Sequence, residues 1–219
     1  MVSVPEIKAV FSLLERGHTL TMLEELGHYT PFQMVVMTML SSRTKDTTTI
    51  PIVKKFFAKY PRPEDLVKID VRKLEEWLYG IGFYKVKARN VQKLSQIILK
   101  KYKGKVPDTF EELTSLPGVG RKTANCVLAY TFKKPAIAVD THVHRISNGL
   151  GWVKTKNPEE TEEALKRIVP RDLWIEVNRL FVGHGQTICI PGNPKCNICP
   201  ALYYCQYGTV RIRNLEQKI

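Results

Sequence analysis

Apolar residues recur at helical spacing along most of the chain. Within residues 5–16, Ile7, Val10, Phe11 and Leu14 share one face, which predicts an amphipathic first helix. Residues 32–40 are the most apolar run. Pro31 opens it, Gln33 and Thr38 interrupt it, and it is far too short to span a bilayer, so it predicts a buried helix. A polar segment, residues 41–46, follows at a helix end. The pattern over 52–60 predicts another helix, stopped by Pro61 and Pro63, and residues 64–79 predict two short ones. Gly80-Ile81-Gly82 reads as a tight turn. Residues 85–102 predict a long basic helix that buries Val91, Leu94, Ile97, Ile98 and Tyr102. Thr109 and Glu112 have capping-box spacing, and Asn157, Pro158 and Glu160 open a helix in the same manner. Only residues 135–139 look extended. The expected fold class is all-α, and no repeat of fixed period is evident.

One stretch breaks this helical pattern in an informative way: Leu116-Pro117-Gly118-Val119-Gly120-Arg121-Lys122-Thr123-Ala124. Pro117 and the two glycines end one helix and start another. Gly118 and Gly120 can take positive φ and let a foreign backbone approach closely. Amides at the start of the following helix would point outward at the positive end of its dipole, a setting suited to phosphate. Gly-x-Gly between helices is weak evidence alone, because a plain connection has the same letters. Two further blocks strengthen it. Ala136-Ile137-Ala138-Val139-Asp140-Thr141-His142-Val143 lies downstream, and Cys189-x6-Cys196-x2-Cys199-x5-Cys205 lies near the end.

Together the three blocks resemble the endonuclease III family of base-excision DNA glycosylases, in the helix-hairpin-helix superfamily. Ile81-Gly82-Phe83-Tyr84-Lys85-Val86-Lys87-Ala88 also fits, and the similarity runs from about Phe32 to Tyr207. The cysteine spacing is the most specific signal. The resemblance implies two lobes. A helical bundle would span residues 24–134, and residues 1–23 with 135–219 would form a discontinuous lobe carrying the cluster. Lys122 and Asp140 would come from opposite lobes and meet at the cleft. By the same resemblance Lys122 holds the nucleophile position and Asp140 that of the catalytic aspartate.

The chemistry needs such a pair. Breaking the bond between C1′ and the base builds positive charge on the sugar, which a carboxylate stabilises. A neutral lysine amine can attack C1′ and form an imine, which promotes β-elimination of the 3′ phosphate. The reference lysine pKa of ~10.4 is too high for this at neutral pH. A helix N-terminus and desolvation lower it, whereas a nearby Asp140 carboxylate raises it. Each residue also has a plainer reading: Lys122 as a phosphate-binding or solvated lysine, Asp140 as an N-cap, a role compatible with catalysis.

Four clustered thiols suit either zinc or an iron–sulfur cluster. Only Cys196 and Cys199 form a close pair, which disfavours zinc. The resemblance implies a [4Fe-4S] cluster on Cys189, Cys196, Cys199 and Cys205, in a structural role. Lys195 between the first two cysteines is a candidate phosphate contact. Cys126 reads as a small core residue.

Because the target base lies inside the duplex, it must be flipped out. The resemblance places one plug after Gly82, here Phe83, and another around Arg43. Bacterial relatives usually carry glutamine at Arg43, and often an acid at Thr114. Arginine pairs bidentately with guanine O6 and N7, which suggests a preference for lesions opposite guanine. Phe83 could instead be a core aromatic, with Tyr84 packing beside it. Lys85, Lys87 and Arg89 are expected on the DNA face.

The charge supports a polyanionic partner. Of 219 residues, 34 are Lys or Arg against 21 Asp or Glu, a formal net charge of +13. The leading reading is a bifunctional DNA glycosylase and AP lyase that removes oxidised pyrimidines from duplex DNA. It is expected to be a monomer, intracellular and nucleoid-associated, with no signal peptide and no membrane partner. The alternatives are a monofunctional glycosylase for thymine or uracil opposite guanine, and a non-catalytic helix-hairpin-helix DNA-binding protein. Lys122 argues against the first and Asp140 against the second.

Overall fold

The computed structural model describes residues 2–217, and every regular element among them is helical. In chain order these are α1 (Val4–Glu15), α2 (Met22–Glu25), α3 (Pro31–Ser41), α4 (Asp46–Lys59), α5 (Pro63–Val67), α6 (Val71–Trp77), α7 (Tyr84–Tyr102), α8 (Phe110–Thr114) and α9 (Arg121–Cys126). There follow α10 (Thr141–Leu150), α11 (Pro158–Ile168), α12 (Trp174–Thr187) and α13 (Gln206–Glu216). Helix α9 continues as a π-helical turn over Val127–Thr131. No strand forms at 135–139. None of the described helices is long and apolar enough to cross a membrane.

The chain divides into two compact units, residues 1–21 with 135–219, and residues 22–134. In the second, α5 and α6 pack on α7, and α3 packs on α4, α7 and α9. The apolar run behaves as its composition requires: every residue from Phe32 to Leu40 except Gln33 is buried. Thr30 caps α3 in a capping box with Gln33, and Pro31 takes the first turn, where its missing N–H costs nothing. Helix α4 starts at Asp46, earlier than the pattern predicts, and carries Pro51 inside it. Helix α7 buries Val91, Leu94 and Ile98, while Ile97 and Tyr102 are only half-buried.

In the other unit, α1 presents Ile7, Val10, Phe11 and Leu14 to a core shared with α10 and α12. Phe11, Trp152 and Phe181 pack ring on ring, with centroids 5.4–5.9 Å apart. Helices α10, α12 and α13 were not anticipated as full elements. Helix α12 contains Gly183 and Gly185, which weaken a helix intrinsically. Tertiary packing reverses the preference. A Cβ at Gly183 would lie 2.8 Å from His18 Nδ1 and from the Thr19 carbonyl oxygen, and one at Gly185 would lie 2.4 Å from His142 Nδ1.

Candidate active site

The glycine stretch forms a turn between α8 and α9. Thr109 caps α8 and engages Glu112, and Leu116 and Val119 anchor the turn in the core while Gly118 and Gly120 stay exposed. The two glycines have different jobs. Gly118 has φ 79°, and a Cβ there would lie 2.6 Å from Met39 Sδ and 2.8 Å from Asn90 Nδ2. It is the residue that lets the turn seat against α3 and α7. Gly120, which could also take positive φ, has φ −89° and is the N-cap of α9, with open space over its Cα. It contributes no side chain over the helix start, leaving room for an incoming backbone. Gly118→Ala should therefore lower the unfolding free energy by about 2–4 kcal/mol, from left-handed strain plus overpacking. Gly120→Ala should cost about 1 kcal/mol or less yet weaken binding to abasic duplex DNA. Urea denaturation and a binding titration on both variants check this.

Lys122 occupies the first turn of α9 and is half-buried. Cys126, one turn later, is fully buried and belongs to the core.

In the other unit Asp140 is the N-cap of α10. Its Oδ1 accepts the amide protons of both His142 and Val143 at 2.9 Å. Its Oδ2 makes no hydrogen bond among the described residues. One oxygen thus fixes the carboxylate and leaves the other outside the cap. Further along α10, His144 Nδ1 meets Thr161 Oγ1 at 2.7 Å, and Asn148 donates to Thr155 Oγ1 at 3.0 Å. His144 is tied into a structural network.

Arg43 and Phe83 come together. Both have left-handed backbones, φ 54° and 58°. The Arg43 guanidinium carbon lies 5.7 Å from the centre of the Phe83 ring. Phe83 is 63% exposed, which excludes the core-aromatic reading, whereas Tyr84 packs edge-on against Tyr79. Gly82 permits the approach: its N–H donates to Thr44 Oγ1 at 3.0 Å, and a Cβ there would sit 2.8 Å from the Arg43 carbonyl oxygen. Thr114 Oγ1 donates to the Phe110 carbonyl at 2.9 Å.

Lys85 and Arg89 are exposed on α7, with Arg89 3.9 Å from Glu75. Lys87 is not on that face. Only 6% exposed, it donates to the carbonyls of Leu40 at 2.9 Å and Ser42 at 2.6 Å, and burial lowers its pKa to about 8. The expectation that it faces DNA fails because residues 87, 91, 94 and 98 share the buried stripe of the helix.

Cys189, Cys196, Cys199 and Cys205 are all free and line one cavity of about 720 Å³ in the unit that holds α10 and α12. Burial pushes the Cys199 thiol up to about 11 against a backbone hydrogen bond from Ala201; Cys205, Cys189 and Cys196 push it the same way. Burial likewise raises Cys196 and Cys205. His184 Nε2 lies 3.6 Å from Cys199 Sγ, and Arg145 donates to the Cys189 carbonyl. Burial holds the His184 imidazole neutral, with its pKa lowered to about 4. Among the described residues no three His, Cys, Asp or Glu side chains gather tightly enough to hold one metal ion. Lys195 is exposed on the loop between the first two cysteines.

Comparison with known proteins accords with this geometry. Residues 36–171 match the family model of the HhH-GPD superfamily base excision DNA repair proteins. Endonuclease III of Thermotoga maritima is 48% identical over 192 residues, covering 86% of this chain and 90% of that protein. A solved non-covalent endonuclease III–DNA complex superposes with TM-score 0.88 at 35% identity, covering 97% of this chain and all of the other. A trapped endonuclease III–DNA covalent intermediate superposes with TM-score 0.87 at the same identity and coverage. With more than half of its length matched by the family model and nearly half of its aligned residues shared with a bacterial endonuclease III, this chain belongs to the HhH-GPD superfamily of base excision DNA repair proteins, in the endonuclease III family.

Proposed function

We propose that the protein is a bifunctional DNA glycosylase and AP lyase of base excision repair, acting on oxidised pyrimidines in duplex DNA. The observation that carries this is Lys122 in the first turn of α9, directly after the Gly118–Gly120 turn, in a chain this similar to endonuclease III. The turn grips a phosphate through backbone amides. Lys122, as neutral amine, attacks C1′ as the bond from C1′ to the base breaks and the base leaves with a proton. The C1′–O4′ bond then opens, O4′ taking the amine's proton, to give the imine, which acidifies the neighbouring C2′ proton; loss of that proton expels the 3′ phosphate by β-elimination. Asp140, fixed through Oδ1, supplies negative charge to the sugar as positive charge develops there.

Arg43 and Phe83 are assigned to the space that the flipped nucleotide leaves. Phe83 offers an exposed ring for stacking, and Arg43 offers the donor fork that matches guanine. Arg43→Gln should reduce a preference for lesions opposite guanine; an unchanged preference removes this assignment. Lys85 and Lys195 are assigned to backbone phosphates on the strength of their exposure.

The four cysteines fit a [4Fe-4S] cluster. Zinc would draw four sulfurs to within about 2.3 Å of one point, whereas these line a cavity, and burial raises the thiols of Cys196, Cys199 and Cys205, whose protons a cationic iron centre would displace on binding. When bound, the cluster would join the end of α12 to the start of α13. Anoxically purified protein should contain about four iron and four sulfide per chain, and Cys199→Ser should lose both with a lower melting temperature. One zinc per chain would instead reject the cluster.

The test of the activity is borohydride trapping with base-release assays on duplexes holding thymine glycol, an abasic site or a T·G mismatch. Release from thymine glycol with a reducible adduct is the expected result. Release from T·G without an adduct would replace this reading by the monofunctional one.

A further inference from the structure

Lys87 is a buried charge that the reaction does not use. An ammonium at 6% exposure is costly to desolvate, and an apolar side chain of similar size would serve the core better. Its partners identify what it does. The Leu40 and Ser42 carbonyls, 2.9 and 2.6 Å away, lie at the C-terminal end of α3, the negative end of that helix dipole. Ser42 directly precedes Arg43. The Lys87 backbone N–H, in turn, donates to the Phe83 carbonyl at 3.0 Å. The side chain of Lys87 is therefore bonded to the chain that leads into Arg43, from a position in the first turn of the helix that Phe83 caps.

Both of those residues hold left-handed backbones that side chains other than glycine disfavour. Such strain persists only where surroundings over-determine it. Here the surroundings are Lys87 and the Gly82–Thr44 hydrogen bond of 3.0 Å. The ammonium bonds of Lys87 and the Gly82–Thr44 bond run to the end of α3 and the residues just after it, whereas the Lys87 N–H bond to Phe83 is the ordinary first-turn bond of α7.

We propose that Lys87 is a positioning residue for base-pair readout, its ammonium setting the backbone before Arg43 so that the guanidinium is presented in register with Phe83. This rests on the reading that Arg43 and Phe83 enter the duplex.

The experiment measures single-turnover excision of thymine glycol opposite guanine and opposite adenine for wild type, Arg43→Ala, Lys87→Met and the double variant. Circular dichroism melts establish folding. Arg43→Ala is expected to lower the guanine-over-adenine ratio by about tenfold. Lys87→Met should lower it to within about twofold of that value, and the double variant should go no further, since the two act as one unit. Lys87→Gln, which retains a donor toward the same carbonyls, should recover part of the ratio. It also stands in for Lys87→Met if that variant fails to fold, and must then give a ratio between wild type and Arg43→Ala. An Arg43→Ala effect with a wild-type ratio in the folded Lys87 variant overturns the inference and leaves the Arg43 reading intact. A wild-type ratio in Arg43→Ala overturns both.

Discussion

Replacing Lys122 by glutamine is expected to abolish borohydride trapping and to slow strand cleavage at abasic sites by at least about a thousandfold. Glutamine is one bond shorter but keeps a polar, unbranched side chain and is nearly as good a helix former as lysine, so α9 should fold with a change of about 0.5 kcal/mol or less. What it lacks is an amine lone pair that can form an imine. The variant thus separates reaction from structure. Gel analysis of the reduced adduct measures the first, and a thermal melt the second. Loss of the adduct with an unchanged melt assigns the imine to Lys122. Base release at the wild-type rate without an adduct in either protein would instead describe a monofunctional glycosylase.

The second large effect is expected at Asp140. Asparagine is as good an N-cap as aspartate, so Asp140→Asn can still accept the His142 and Val143 amides through Oδ1. The melting temperature should move by about 2 °C or less. The negative charge is gone, however, and base excision should fall by about 10²–10⁴-fold. Asp140→Ala loses the cap as well and should cost about 1 kcal/mol of stability in addition. Single-turnover base release with melts on both variants distinguishes the two roles. Wild-type excision by the asparagine variant would reduce Asp140 to a cap, and the case for catalysis by this chain would weaken with it.

The sites were legible to different degrees. The cysteine spacing, the glycine turn and the Asp140 cap are local features, each confined to a short stretch of chain. Asp140 was legible as a cap because the amides it accepts lie two and three residues downstream. The amphipathic face of α1 and the buried run of α3 follow from apolar periodicity alone. The misreadings share another character. No element is predicted over α12, whose Gly183 and Gly185 weaken it locally; His18, Thr19 and His142 occupy the space where their side chains would be. Lys87 was placed toward DNA on its charge, although its partner Leu40 lies 47 residues away. Both Gly118 and Gly120 can take positive φ, but only Gly118, pressed between Met39 and Asn90, does so.

By itself the sequence determined the all-helical class, the chemical groups available and the short-range geometry that caps and turns impose, because hydrogen bonds at a helix start reach only a few residues. Tertiary structure alone decided which lysine is buried, which glycine must be left-handed, and that Arg43 and Phe83 stand side by side. Those properties depend on atoms brought together from distant parts of the chain, and no local pattern encodes the space such neighbours leave.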